Sequence, residues 1–375
     1  MIAKCITLAT LLTLASAASL PRGAWPQGPV WQASNFKSLI TFGDSYTDES
    51  RLGYFGTHNG SAPPAGTLLP ESNATAGGGY TWPRYVVRYT GDTVNGVWDP
   101  SLTLYNYAVS GAVCSNYITP RYDRILRSSH FTDSLSTFKA INADFPSVLE
   151  YEVPAFIADQ SASRINTTEP YFEPALSASS AVYSIWIGTN DLGVWAFLTD
   201  SQVPGKVLSD YTDCVFQVLD KLYAVGGRAF VLMNAAPLQL APLYANDTLN
   251  GVGDNQYWPQ KPSNKTDIAD KMHEYTTSVN NIYKYQTPYE ALVAKRYPGA
   301  NFALFDVWQL ISDIYDNPSQ YLNGTQPLSV QGFEHHCSID QTVCNLEYGG
   351  TSDDSFLWYD ELHPRYVLHY ANAWY

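Results

Sequence analysis

The sequence predicts an α/β protein built as a three-layer, doubly wound parallel sheet, on three observations. Short apolar runs rich in β-branched and aromatic residues recur along the chain, helical periodicities fall between them, and chemically capable residues follow the runs directly.

The runs are Ser38 to Phe42, Leu104 to Ala108, Ala181 to Ile187, Ala229 to Met233 and Asn301 to Phe305. Near-continuous apolar character without alternation is what a parallel strand covered on both faces requires. Gly60 to Gly79, dense in Pro, Gly, Ser and Asn, reads as a surface excursion. After the third run, Val207, Leu208, Tyr211, Cys214, Val215, Val218 and Leu222 are expected to share one helical face, which stops at Gly226-Gly227. A second helix is expected from about Thr266, with Ile268, Met272, Tyr275, Val279 and Ile282 spaced by four and three. Thr287-Pro288-Tyr289-Glu290 then resembles a capping box with Pro at the first helical position, so a break and a new short helix are expected there. In such sheets function gathers at the carboxyl ends of the strands. The residues there are Gly43-Asp44-Ser45, Ser110-Gly111, Gly188-Thr189-Asn190-Asp191, Asn234 and Asp306.

Ahead of the first strand, Lys4 precedes an apolar run from Cys5 to Ala15 that ends in the small residues Ala15, Ser16 and Ala17. That order is the one export requires, and the run is too short to span a bilayer. Residues 1–18 are therefore expected to be a secretory signal peptide, and 19–375 a single domain that is extracellular and carries no membrane anchor. Six sequons, at Asn59, Asn73, Asn166, Asn246, Asn264 and Asn323, agree with that route and predict a glycoprotein. Loss of the leader removes Cys5 and leaves four cysteines, an even number that suits an oxidising compartment. The close spacing of Cys337 and Cys344 favours their pairing, which leaves Cys114 with Cys214, although four cysteines allow three connectivities.

The formal net charge of -14 argues against nucleic acid or anionic lipid as partners, since both would repel the chain at neutral pH. The 28 Tyr and 10 Trp suit either a well-packed core or sugar-stacking platforms around a cleft.

Ser45 follows a strand within Gly43-Asp44-Ser45-Tyr46, where a turn into a helix exposes its hydroxyl and aims backbone N–H groups at whatever it attacks. A Ser in that setting is also a common turn or cap residue. Asp360-Glu361-Leu362-His363-Pro364 sets a carboxylate and an imidazole three residues apart, close enough to meet on one turn. The carboxylate then fixes the tautomer and leaves the other ring nitrogen free to take a proton from Ser45. After the third strand, the amide of Asn190 can donate to a developing oxyanion beside the N–H groups of Gly111 and Ser45. Taken alone, Asn190 and Gly111 are also ordinary turn residues. Together the four segments supply a nucleophile, a base, its orienter and oxyanion donors, the parts of an acyl-transfer site.

These segments resemble the blocks of the SGNH or GDSL hydrolase superfamily. Gly43-Asp44-Ser45 matches the nucleophile block and Tyr107-Ala108-Val109-Ser110-Gly111 the block of the oxyanion glycine. Gly188-Thr189-Asn190-Asp191 matches the block of the oxyanion asparagine, and Asp360 to Pro364 the Asp-x-x-His block. The resemblance implies a flavodoxin-like sheet and a serine mechanism with no metal and no cofactor. More narrowly, Trp25-Pro26, Phe42 to Asp48 and Asn106 to Cys114 are similar to fungal members of carbohydrate esterase family 16, which implies an acetylesterase acting on acetylated xylo-oligosaccharides and related sugars. Relatives usually continue past the Asp-x-x-His-Pro block into a longer final helix. Here only Arg365 to Tyr375 remain, which is expected to support His363 less well.

Asp44 is expected to cap the helix after the nucleophile, and Asp191 and Asp306 have no role derivable from sequence. His335, His336 and Cys337 look metal-like but lack a complementary ligand motif. No G-x-S-x-G elbow is present. The expectation is a monomeric serine esterase for small acyl esters. Its rivals are a lipase or phospholipase on the same scaffold, which would need an apolar acyl groove, and a catalytically weak sugar-binding protein.

Overall fold

The computed structural model describes residues 33–94, 97–121, 144–346 and 351–365. The expected signal peptide, Trp25-Pro26 and the segment 366–375 lie outside the described residues.

Five strands form one fully parallel sheet: β1 (Ser38–Gly43), β2 (Thr103–Asn106), β3 (Ala181–Trp186), β4 (Ala229–Met233) and β5 (Asn301–Phe305). Their spatial order is β2-β1-β3-β4-β5. This is the flavodoxin-like winding, whose strand order reverses between β1 and β3 and opens a crevice at their carboxyl ends. The five apolar runs are thus the five strands. β2 stops short of Ala108 because the Asn106 side chain turns back on its own chain, accepting from Ala108 N at 3.1 Å and donating to Thr47 O at 2.6 Å.

Helices α1 (Arg51–Thr57), α2 (Trp82–Tyr89), α3 (Val153–Asp159), α4 (Leu208–Ala224), α5 (Lys265–Pro288) and α6 (Val307–Asp316) flank the sheet. Leu39, Leu104, Val182 and Val231 turn one face toward Val86 and Val87 of α2. Ile40, Tyr105, Tyr183 and Phe230 turn the opposite face toward Phe156 of α3 and Val215 and Val218 of α4. Every residue of β1 and β3 is buried, so the two strands that carry the crevice are also the best anchored. Each large apolar side chain buried there contributes roughly 1.5–3 kcal/mol.

Two expectations about local structure are corrected. α5 does not break before Pro288: it runs through that residue and passes directly into a π-helical turn, Tyr289–Val293. Pro288 sits where the α-helical ladder gives way to the wider turn, so its missing N–H interrupts little, and the Thr287 hydroxyl makes no cap. Nor does a helix follow Ser45 immediately. The chain makes a turn, and α1 begins only at Arg51. The Asp44 carboxylate accepts the Tyr46 amide within the turn and no amide of α1, whereas the Asp48 carboxylate accepts the amides of Ser50, Arg51 and Leu52 at the helix start.

Disulfides join Cys114 to Cys214 and Cys337 to Cys344. The second closes a hairpin of His335–Cys337 and Cys344–Leu346. Five sequon asparagines are exposed and Asn246 is half-buried, with its side-chain oxygen accepting from the amides of Thr248 and Leu249. Among the described residues no helix is long and apolar enough to cross a membrane. The loop 60–79 carries no strand or helix, yet it folds back on the body: Gly66 N donates to Asp159 at 2.7 Å, and Thr75 reaches the crevice.

Candidate active site

The crevice is built from four chain segments. β1 ends at Gly43, whose amide donates to the buried carboxylate of Glu152 at 2.9 Å. The other oxygen of Glu152 takes the Val109 amide at 3.2 Å, so one side chain ties together the chain just past β1 and β2. Gly43 has φ +154°, and a Cβ there would lie 2.2 Å from Trp186 O, so the approach of β3 admits only glycine. At the end of β3, Gly188 has φ +131° and a Cβ would meet the Tyr211 hydroxyl at 2.3 Å. That hydroxyl donates to Ile187 O at 2.7 Å.

His363 reaches this point from the other end of the chain. The strand Phe356–Trp358 pairs in parallel with Ser329–Phe333, and the turn that follows presents His363 over Ser45. The His363 Nε2 to Ser45 Oγ distance is 2.8 Å, and His363 Nδ1 lies 3.0 Å from both Asp360 oxygens. Ser45, His363 and Asp360 are 7, 5 and 3 % exposed, so the serine is just reachable while its partners are shielded from bulk water. Asp360 Oδ1 also accepts the amides of Leu362 and His363 at 2.8 and 2.7 Å, which locks the turn. Tyr46 OH donates to Leu362 O at 2.8 Å and so joins the serine turn to the histidine turn. Beyond the histidine, Arg365 is ion-paired with buried Glu334 at 2.6 Å and with Asp353 at 2.7 Å. The described part of the C-terminal segment therefore fastens His363 closely.

The electrostatics suit proton transfer to Nε2. Burial would lift the Asp360 carboxyl, but the His363 charge, its hydrogen bond and the Tyr257 hydroxyl hold it below its ordinary value. Burial would lower His363, yet the charge and hydrogen bond of Asp360, helped by Asp44 and Glu361, carry it above 6.5. Asp44 is pushed up to about 6 by burial, which outweighs the Tyr46 amide and the nearby His363 and Arg121 charges.

Gly111, with φ +86°, lies in the turn that follows β2, and Asn190 lies in the short helical turn that follows β3. Among the described residues neither the Ser45 nor the Gly111 amide donates to a protein acceptor. Asn190 Nδ2 donates one proton to Ala112 O at 2.9 Å, and its Oδ1 accepts from Arg121 at 3.2 Å. Those two partners fix the orientation of the amide. Asp191 accepts Cys114 N at 3.0 Å and the Thr119 hydroxyl at 3.0 Å, and burial pushes it up to about 7. It fastens the Gly111 loop to the asparagine turn. Asp306 is structural, accepting Gln309 N at the start of α6 and a proton from Asn234.

Three contributors escape the sequence patterns. Tyr257 OH donates to Asp360 Oδ2 at 2.6 Å and lies 3.3 Å from His363 Nδ1, while the preceding Gln256 donates to Glu361 at 3.1 Å. Asp48 accepts Ser110 N at 2.8 Å and so steers the residue before Gly111. Arg121 braces Asn190 as described. None lies in a motif that announces it, although Asp48 falls inside the Phe42 to Asp48 stretch.

His335, Cys337 and Cys344 also converge. The two sulfurs are bonded to each other, so neither is a thiolate and the cluster lacks the donors of a structural metal site.

A model of the family described as GDSL-like Lipase/Acylhydrolase matches residues 39–366. The chain is 42% identical over 335 residues to an acetylesterase of Hypocrea jecorina, covering 89% of this chain and 86% of the relative. It is 30% identical over 223 residues to an acetylesterase of Thermothelomyces thermophilus, covering 59% of each. A GDSL esterase/lipase of Arabidopsis thaliana is 23% identical over 230 residues, 55% of this chain and 53% of that one. A family match that spans all five strands and every segment of the crevice has one meaning: this chain belongs to the GDSL-like lipase/acylhydrolase family and is a carboxylic ester hydrolase.

Proposed function

We propose that this chain is a secreted acetylesterase that removes acetyl groups from acetylated xylo-oligosaccharides or related plant cell-wall sugars through a Ser45-His363-Asp360 triad. The observation that carries the chemistry is the unbroken relay from Ser45 Oγ through His363 to Asp360, with distances of 2.8 and 3.0 Å. His363 Nε2 takes the Ser45 proton as Oγ attacks the ester carbonyl, and then returns that proton to the departing alcohol. The acyl-enzyme is opened by water, which His363 deprotonates in turn. The Ser45 and Gly111 amides and the Asn190 side chain receive the oxyanion in both steps.

The acetyl preference has its own support. The recess at Ser45 and His363 is closed in by Tyr46, Thr75, Gly77, Thr81 and Pro364 and holds about 10 Å³, roughly the space of one water-sized group. A methyl group suits that scale better than a chain. Both fungal relatives bear the name acetylesterase. Two disulfides and exposed sequon asparagines at Asn59, Asn73, Asn166, Asn264 and Asn323 support an extracellular, glycosylated protein formed as one domain after loss of residues 1–18.

The test is acetate release from acetylated xylo-oligosaccharides and from 4-nitrophenyl acetate, comparing wild type with Ser45→Ala and including a long-chain 4-nitrophenyl ester. Wild type is expected to act on both acetates and to lose on the order of 10⁴-fold or more of its rate in the variant. Cleavage of the long ester alone would make the protein a lipase. Acetate release that survives Ser45→Ala would remove Ser45 from its role.

A further inference from the structure

Beside the catalytic recess runs a much larger depression. The outward face of α1 forms one wall, the stretch from Leu69 to Ala76 forms the other, and the space between them is about 710 Å³. Ser110, the residue before Gly111, also lines it, and Thr75 lines both this groove and the recess at Ser45 and His363. Whatever lies in the groove is therefore adjacent to the reacting ester.

The walls have a definite chemistry. The rings of Tyr54 and His58 are stacked, with centroids 3.7 Å apart and planes 2° from parallel. His58 Nδ1 is 2.9 Å from Tyr54 O and 3.0 Å from Thr57 Oγ1, so the exposed ring is braced. Glu71 lines the same groove, and its carboxylate is fixed by Arg84 at 3.3 Å and Arg88 at 2.5 Å. Ser72 and Thr57 add hydroxyls, and Leu52 and Leu69 add apolar patches. The lining exposes more apolar than polar surface, so the groove receives an apolar ligand face, while the fixed carboxylate and the hydroxyls supply polar partners that an alkyl chain could not use. A sugar ring offers an apolar C–H face to the stacked platform and hydroxyls to the fixed carboxylate and the hydroxyl side chains.

We propose that this groove seats the saccharide that bears the acetyl ester, with α1 and the 69–76 segment gripping the sugar while its acetyl group enters the recess. The inference rests on the acetylesterase reading and adds where the sugar binds and which residues select it.

Gly53 makes the assignment testable. It lies exposed on the groove face of α1 with ordinary helical backbone, and a Cβ there would meet no atom within 4 Å. Gly53→Phe thus places a ring in the groove without a clash, and any side chain other than Pro favours the helix over Gly. In Gly53→Phe, and separately in His58→Ala, KM for acetylated xylo-oligosaccharides is expected to rise about ten-fold relative to KM for 4-nitrophenyl acetate. Inhibition of 4-nitrophenyl acetate hydrolysis by unacetylated xylotriose is expected to weaken to a similar degree. If wild type cleaves the acetylated sugars but neither variant changes the KM ratio, the groove assignment falls while the acetylesterase reading stands. If wild type does not cleave them, yet xylotriose inhibits and Gly53→Phe relieves the inhibition, the groove stands and the substrate reading falls. If wild type neither cleaves the sugars nor responds to xylotriose, both fall.

Discussion

Tyr257 OH donates to Asp360 Oδ2 across 2.6 Å, so the carboxylate beside His363 is itself held by a half-buried phenol from a distant loop. A carboxylate that shares its charge with such a donor attracts the imidazolium less strongly. Removal of the hydroxyl in Tyr257→Phe leaves the ring packing in place but strips one donor from Asp360. Hydrogen bonds to charged groups contribute about 1.5–3 kcal/mol, and part of that loss is expected to reach the transition state, lowering kcat roughly ten-fold. The acid limb of the pH–rate profile should move to higher pH, because a less stabilised Asp360 holds the His363 proton more tightly. A purely structural role would lower Tm without moving that limb.

In the wild type, the acid limb of kcat/KM should lie above 6.5, because Asp360 raises His363 and only neutral His363 can take the serine proton. Stability runs the other way for this group. A base raised in the folded state stabilises the fold fully below its unfolded pKa, and that contribution is lost as pH rises through the folded value. Asp360 has the opposite sign: lowered in the fold, it stabilises above 3.8 and the gain is lost as pH falls through its folded value. Tm measured against pH for wild type and Ser45→Ala, with a rate profile on 4-nitrophenyl acetate, checks both signs.

Asp360→Asn removes the charge while keeping the shape. The acid limb is expected to fall to lower pH, since the largest influence raising His363 is gone. The rate should drop by roughly 10⁴-fold because an amide can hold the wrong imidazole tautomer. A rate near wild type, measured across pH 5 to 9, would show that Asp360 does not orient the base.

Asp44 tunes the same histidine from the other side. It sits at about 6, with burial as the main cause, and its charge raises His363. Asp44→Asn is expected to shift the acid limb modestly downward while retaining most of the rate at pH 8, as the Tyr46 amide can still donate to the side-chain oxygen. Loss of the rate at pH 8 would assign Asp44 more than an electrostatic part.

The sequence shows the five strands because burial on both faces writes itself as apolar runs, and Phe42 and Ile185 at 0 % exposure are where that pressure is greatest. Ser45, Gly111, Asn190 and His363 stand out in the sequence because each follows a strand or a turn, and the fold brings Ser45 and His363 within hydrogen-bond distance. Tyr257 and Arg121 are not. Each acts through one long-range hydrogen bond, to Asp360 and to Asn190, and a single tyrosine or arginine in a loop leaves no periodicity to read. The continuation of α5 through Pro288 is hidden for a related reason: the wide turn that tolerates the proline depends on local geometry and not on residue type. Asp44 and Asp48 differ by one helical turn of sequence, and only the chain path shows which of them receives the amides of α1.

The two disulfides should differ in what they hold. Cys114–Cys214 spans 100 residues and anchors the chain three residues after Gly111 to α4, whereas Cys337–Cys344 closes a separation of 7 in an edge hairpin. Loop-closure entropy makes the longer link worth about 4.7 kcal/mol and the shorter about 2 kcal/mol. Replacing Cys114 and Cys214 together by Ser is therefore expected to lower Tm well beyond the effect of replacing Cys337 and Cys344. It should also reduce kcat, because Cys114 N is the donor that Asp191 uses to fasten the Gly111 loop to the Asn190 turn. Replacement of the hairpin pair should leave kcat close to wild type. Thermal melts and 4-nitrophenyl acetate kinetics on the two double variants separate these effects. Equal losses of kcat in both would mean that the 114–214 link steadies the fold without positioning the oxyanion donors.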